Sequence, residues 1–234
     1  MDASYQLKYG RWSVYVSPFV NWFSNYIFLR PTGEWSVLPH TGQIYRYTQT
    51  EALFAGAEAS VELTVLPTLN YRISGEYVYT YNCDERIPLS FSPPATLRNT
   101  LTWQRKRYML YAEWQSITKQ NRVDRNEDRT PGANLFHIAG SLDLPVAGTE
   151  VEITLTVRNL FNTRYYNHLS FYRKVEIPEP GRNFQLLIKY HLKNYSNENK
   201  ILFPDDYFPF SDKLFHYLLL AETVTIRLVI LQNR

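Results

Sequence analysis

The stretch Val151–Leu192, VEITLTVRNLFNTRYYNHLSFYRKVEIPEPGRNFQLLIKYHL, decides how the chain is read. Its first part alternates. Val151, Ile153, Leu155 and Val157 share one parity, and Glu152, Thr154, Thr156 and Arg158 share the other. Its last part alternates again, with Phe184, Leu186, Ile188, Tyr190 and Leu192 against Gln185, Lys189 and His191; Leu187 is the exception. Successive strand side chains point to opposite faces, so each part predicts a strand with one apolar and one mostly polar face. Between them runs a long polar and aromatic connection that closes on Pro180-Gly181-Arg182.

Working outward, the same unit recurs. Residues 6–9 read as the end of a strand before a turn at Gly10. Trp12, Val14, Val16, Val20 and Trp22 then oppose Arg11, Ser13, Tyr15, Ser17 and Asn21, with Pro18 marking a bulge or local break. Residues 24–50 are expected to form a long loop carrying strand extensions. Alternation returns over 57–65, 69–80, 95–103, 108–115 and 136–143, before the opening stretch. The count is about nine strands. Connections alternate long and short: 24–50 long, 67–68 short, 82–94 long, 104–107 short, 118–133 long, 145–149 short, 160–182 long. Transmembrane β-barrels pair short turns at one end with long loops at the other, and their strands have about the ten-residue length seen here.

Composition bears on the same choice. Aromatic residues make up 16% of the 234, including 19 Tyr, more than a soluble core requires given that each buried hydroxyl needs a partner. Trp12, Trp22, Tyr77, Tyr79, Trp103, Tyr108, Trp114 and Tyr190 lie near strand ends, where aromatic girdles sit at membrane interfaces. The alternative is a soluble or surface β-protein that binds ligand through Tyr-rich loops. Parity alone does not say which face is inside.

A net charge of +3, from 25 basic and 22 acidic residues without a basic block, gives no case for nucleic-acid binding. One cysteine, Cys83, excludes an internal disulfide. No secretory signal opens the sequence, and no run before residue 213 suits a membrane helix. No Ser/His/Asp, paired-carboxylate or P-loop arrangement is readable, so no enzyme, catalytic residue or cofactor is expected.

Several short motifs, in order, carry a resemblance. Asn159-Leu160-Phe161-Asn162, followed by Tyr165 and then Pro180-Gly181-Arg182-Asn183-Phe184, resembles the C-terminal signature of TonB-dependent outer-membrane receptors. Asn25-Tyr26-Ile27, the segment from Tyr47-Thr48-Gln49 to Gly56-Ala57-Glu58, and Thr130-Pro131-Gly132 resemble earlier family segments. The resemblance covers about residues 4 to 192. It implies an all-β antiparallel transmembrane barrel of the 22-strand type, of which this chain would supply the last nine or so strands. It also implies an outer-membrane location and lipid contact. With the plug and TonB-contacting segment that this chain lacks, it implies TonB-coupled uptake of a scarce nutrient. The loop pattern is closest to receptors for metal ions or iron complexes.

The motif residues are read as architectural. Gly181 is expected to adopt a backbone conformation other residues resist, and Gly56 to mark a bulge or close approach. Arg158 and Arg182 should face the lumen or rim. The metal-facing candidates are His40, Asp84, Glu85, His137 and His168, with no HxH or HxxxH spacing, so solvated loop histidines are the expectation. Domain 1–192 is the barrel segment. Residues 193–234 form an atypical tail outside the barrel pattern, with Leu214–Leu231 read as a helix or as a strand through TVTIRLVI. Read-through or a frame change would explain it; a genuine C-terminal addition is the alternative.

Overall fold

The computed structural model describes residues 1–38, 42–146, 149–191 and 223–231. They form one antiparallel meander of ten strands in chain order: β1 Tyr5–Tyr9, β2 Trp12–Trp35, β3 Gln43–Leu66, β4 Leu69–Asn82, β5 Thr96–Arg105, β6 Tyr108–Ile117, β7 Ala133–Val146, β8 Thr149–Arg158, β9 Asn183–His191 and β10 Thr223–Leu231. The nine expected strands are β1 to β9. The sheet does not close on itself among the described residues, and β1 and β10 are its edges.

Register explains the two faces. Directly paired residues share a face, so one row runs Leu7–Val14–Val61–Ile73 and another runs Trp114–Phe136. Leu101–Ala112–Ile138–Val157–Phe184 continues the same apolar face across the later strands. This face carries the exposed large hydrophobics Trp12, Trp22, Leu101, Leu110, Phe136 and Leu155, uncovered by protein. Polar residues interrupt it at Asn99, which accepts a hydrogen bond from the Tyr71 hydroxyl at 2.6 Å, and at the Ser116–Asn134 pair, where Asn134 accepts from Trp114 Nε1 at 3.2 Å. The opposite face bears Glu58, Glu76, Arg98, Glu113 and Arg158, and the long connections fold over it. A soluble sandwich would bury the apolar row in its core; here that row faces outward and the polar row lines a concave interior.

The expected long loop at 24–50 is mostly strand. β2 and β3 are each 24 residues long, roughly 80 Å at the usual rise per residue. The alternation was hidden by a bulge. Phe23 pairs with Ala52 but Tyr26 pairs with Thr50, so β2 carries one extra residue, and every later side chain switches face. Beyond the bulge Phe28 is buried inward while Ile27 and Tyr47 are exposed outward. Conversely, Pro18 makes no bulge. It pairs in register with Ala57, and its carbonyl accepts from Ala3 on the β1 side, so its missing N–H faces the edge of the sheet.

Of the two readings of the apolar tail stretch, residues 223–231 take the strand. They pair antiparallel with β9 across its full length, Thr223 with His191 through Leu231 with Asn183. The β-branched run TVTIRLVI suits a strand, and the β9 edge supplies its hydrogen-bonding partners. The rest of the tail, 192–222 and 232–234, lies outside the described residues.

Candidate functional site: the loop-roofed interior

Two cavities lie on the polar face beneath the long loops. The first, about 450 Å³, has Glu58, Glu76, Arg98 and Gln115 on its sheet side and Tyr165 and His168 on its loop side. The second, about 540 Å³, is bounded by Glu113, His137, Arg158, Tyr165 and Glu179. Tyr165 and Glu179 border both cavities. Burial is the main cause holding the Tyr165 phenol above its ordinary pKa, with the Glu179 charge adding to it. The sheet floor carries charges of both signs. Glu58 stands directly opposite Glu76, and Arg98 donates to Glu76 at 3.0 Å.

The loops above are tied by charge. Arg30, near the top of β2, pairs with Glu85 of loop 83–95 (Nη2 to Oε2, 3.0 Å) and with Asp124 of loop 118–132 (2.9 Å). Glu127 of loop 118–132 is almost wholly buried. It accepts from Arg173 Nη2 at 2.8 Å and from the Phe91 amide at 3.0 Å, and lies 3.4 Å from His168 Nε2. Burial would raise the Glu127 pKa, but the nearby His168 ring and the hydrogen bonds from the Phe91 and Asp124 amides outweigh it and hold the carboxyl below its usual range. Burial instead pushes Asp124 up. The Arg30 hydrogen bond is the largest cause holding Glu85 down.

The two halves of the C-terminal signature meet in space. Asn159 (φ 50°) accepts from the Thr163 amide and donates to the Thr163 carbonyl, both at 2.8 Å. Asn162 (φ 56°) accepts from the Arg182 amide at 2.9 Å. The Leu160 amide donates to the Phe136 carbonyl at 2.8 Å. Phe161 packs edge-on to Phe136, 4.9 Å between ring centres, and Trp114 stacks on the other side. Together, Asn159, Asn162 and Pro180-Gly181-Arg182 form a clasp at the base of loop 159–182.

The expected conformational role of Gly181 is replaced by a steric one. Its φ is not positive; a Cβ there would collide with Asn162 Oδ1. Gly56 is a close approach, where a Cβ would meet the Tyr77 carbonyl and the Phe19 ring, the latter at 2.7 Å. Among the earlier motifs, Asn25 sits in the β2 bulge and accepts from Gln49 Nε2 at 2.5 Å, while Tyr26 turns inward against Phe54 and Ile27 outward. Glu58 borders the first cavity, and Phe184 continues the outer row. Arg158 borders the second cavity, as expected.

The metal-facing candidates are dispersed. His40 lies outside the described residues. Asp84 Oδ2 accepts the Glu51 amide at 3.0 Å and lies 2.7 Å from the Thr50 hydroxyl. His137 Nδ1 accepts from the Asn159 amide at 3.1 Å, so the neutral ring carries its proton on Nε2 and has no lone pair to offer a metal there. His168 is not solvated: it is 1% exposed, with Nδ1 2.8 Å from the Thr130 hydroxyl. Among the described residues no three His, Cys, Asp or Glu converge to hold a metal ion. The residues that sequence reasoning passed over are Arg30, Phe91, Asp124, Glu127 and Arg173. Their only local signal was the mixed charge of 118–133, because the ion pairs join positions 46 to 94 residues apart.

Comparison with known proteins agrees with this geometry. The solved structure of "Copper transporter OprC" matches with a TM-score of 0.67 at 22% identity, over 78% of this chain; the match spans 29% of that protein's length. A family model described as "TonB dependent receptor-like, beta-barrel" matches residues 1–160. The family is one of receptors and transporters, whose barrels are outer-membrane proteins of Gram-negative bacteria. An antiparallel sheet with an apolar outer face and a polar, loop-roofed interior, matched over most of its length, places the chain in the TonB-dependent receptor β-barrel family.

Proposed function

We propose that this chain is the C-terminal barrel portion of an outer-membrane receptor for TonB-coupled uptake of a metal ion or metal complex. The match spans 29% of the copper transporter's length, so the plug and TonB-contacting segment of a whole receptor would lie outside the matched part. The observation that carries the reading is the division of one sheet into an uncovered apolar face and a polar face roofed by long loops. The open β1 edge fits further strands supplied by the rest of a receptor barrel, since an unpaired edge in lipid leaves backbone groups unsatisfied.

The cavities beneath the roof offer polar and aromatic side chains rather than a preassembled set of metal ligands. That favours a cargo recognised through its own organic ligands or hydration shell. Copper belongs among the cargoes to test with zinc and iron, because a copper transporter shares the fold. Growth of cells depending on a full-length version, under limitation for each metal in turn, tests the proposal. Restored growth for one metal, lost on removal of the TonB-contacting segment, is expected. No metal-dependent growth, or growth indifferent to that segment, would sink it.

A further inference from the structure

We infer that Glu127 is a positioning residue whose single carboxylate joins loops 83–95, 118–132 and 159–182 into one rigid unit, of which loops 83–95 and 159–182 roof the first cavity. Three loops separated by strands would ordinarily open independently. Here one buried group belongs to all of them. Glu127 Oε1 takes the Phe91 amide from loop 83–95 and Arg173 Nη2 from loop 159–182, and Oε2 takes the Asp124 amide of its own loop at 3.1 Å. Arg173 uses its remaining donors within its own loop and on loop 118–132, Nε to the His168 carbonyl at 2.7 Å and Nη1 to the Asp128 carbonyl at 2.9 Å.

Two further observations point the same way, the first of them without Glu127. The Phe91 and Phe171 rings lie 4.9 Å apart, joining the first and third loops directly, and Tyr45 of β3 packs on both, 6.0 and 5.5 Å away. Phe91 and Asn126 both have φ near +60°, a region that non-glycine residues enter only when their surroundings hold them there. That conformation of Phe91 accompanies its amide donation to the buried carboxylate. Pro93, Pro94, His168 and Leu169 border the cavity, whereas Glu127, Phe91 and Arg173 do not line it and hold those residues from behind.

The inference rests on the receptor reading for its functional sense, but its test uses no cargo, so the two can fail separately. Amide hydrogen exchange is measured on the full chain in detergent micelles for the native protein, Glu127→Gln and, as control, Asp128→Asn, whose carboxylate is exposed and pairs with Lys174. Glu127→Gln keeps the shape but removes the charge facing Arg173 and His168. Exchange in all three loops should rise together and by a common factor of about ten or more, with strand amides unchanged and the control near native. Loosening confined to 118–132, or different factors for the three loops, overturns the inference. Should Glu127→Gln fail to fold, Arg173→Gln decides. It should loosen 83–95 and 118–132 as much as its own loop, whereas loosening of 159–182 alone overturns the inference.

Discussion

Single residues in this chain act through space they leave empty or charges they hold buried. Gly181 leaves room for Asn162, so Gly181→Ala should cost roughly 1–3 kcal/mol of stability. In Asn162→Ala the obstructing oxygen is gone, and Gly181→Ala should then cost clearly less. A double-mutant cycle by denaturant titration reads this coupling, and strict additivity would show that the clasp is not the constraint. The buried carboxylates set a pH dependence. Glu85 and Glu127 have folded pKa values below the ordinary carboxyl value, so their contribution is present above about pH 4.3 and is lost as pH falls through the depressed values. Asp124 is raised and opposes this, since its charged form is disfavoured in the folded state. Arg173 is permanently cationic, so protonating Glu127 removes the anion that pairs with it. Loop amides should therefore lose protection as the pH falls below the ordinary carboxyl range while strand amides keep it. Exchange measured at pH 3 and pH 7, corrected for intrinsic rates, checks this; equal loop protection at both would refute it.

Among the elements, β2 and β10 depart most from a simple reading of alternation. In β2 the rhythm shifts by one residue at Asn25, which makes an extended strand look irregular in sequence. In β10 an apolar, β-branched run finds its hydrogen-bonding partners on β9. Ile188 stands directly opposite Ile226. With Cys83 changed to Ser, Ile188→Cys paired with Ile226→Cys should form a disulfide under mild oxidation. Ile188→Cys paired with Leu228→Cys, two residues out of register, should form it far less. Equal yields for both pairs would mean that β10 does not hold this register. Strand pairing was legible wherever alternation ran unbroken for eight or more residues, as in 151–158. It was not legible at the bulge, where a one-residue insertion inverts the pattern, or for β10, whose place depends on which edge is free.

At the scale of the whole molecule, the two faces of the sheet should respond oppositely to charge. Leu101→Arg on the apolar face should destabilise the protein in lipid vesicles by roughly 2–4 kcal/mol if the position lies near the bilayer midplane. Thr100→Arg, its neighbour on the polar face, should cost much less. Chemical denaturation in vesicles compares the two, and similar costs would contradict the assignment of faces. The sequence by itself determined the nine-strand meander, the alternation of long and short connections and the family, because a period of two and short motifs at fixed positions are local properties of the chain. Only the tertiary structure decided which face turns outward, since parity is symmetric until the loops are seen to fold over the polar side. It alone also joined Asn162 to Arg182 and Glu127 to Phe91, Arg173 and His168. Those contacts span 20 to 46 residues; the first exists only once β8 and β9 have brought the two ends of one loop together, and the others only once the strands between them have brought separate loops to one rim.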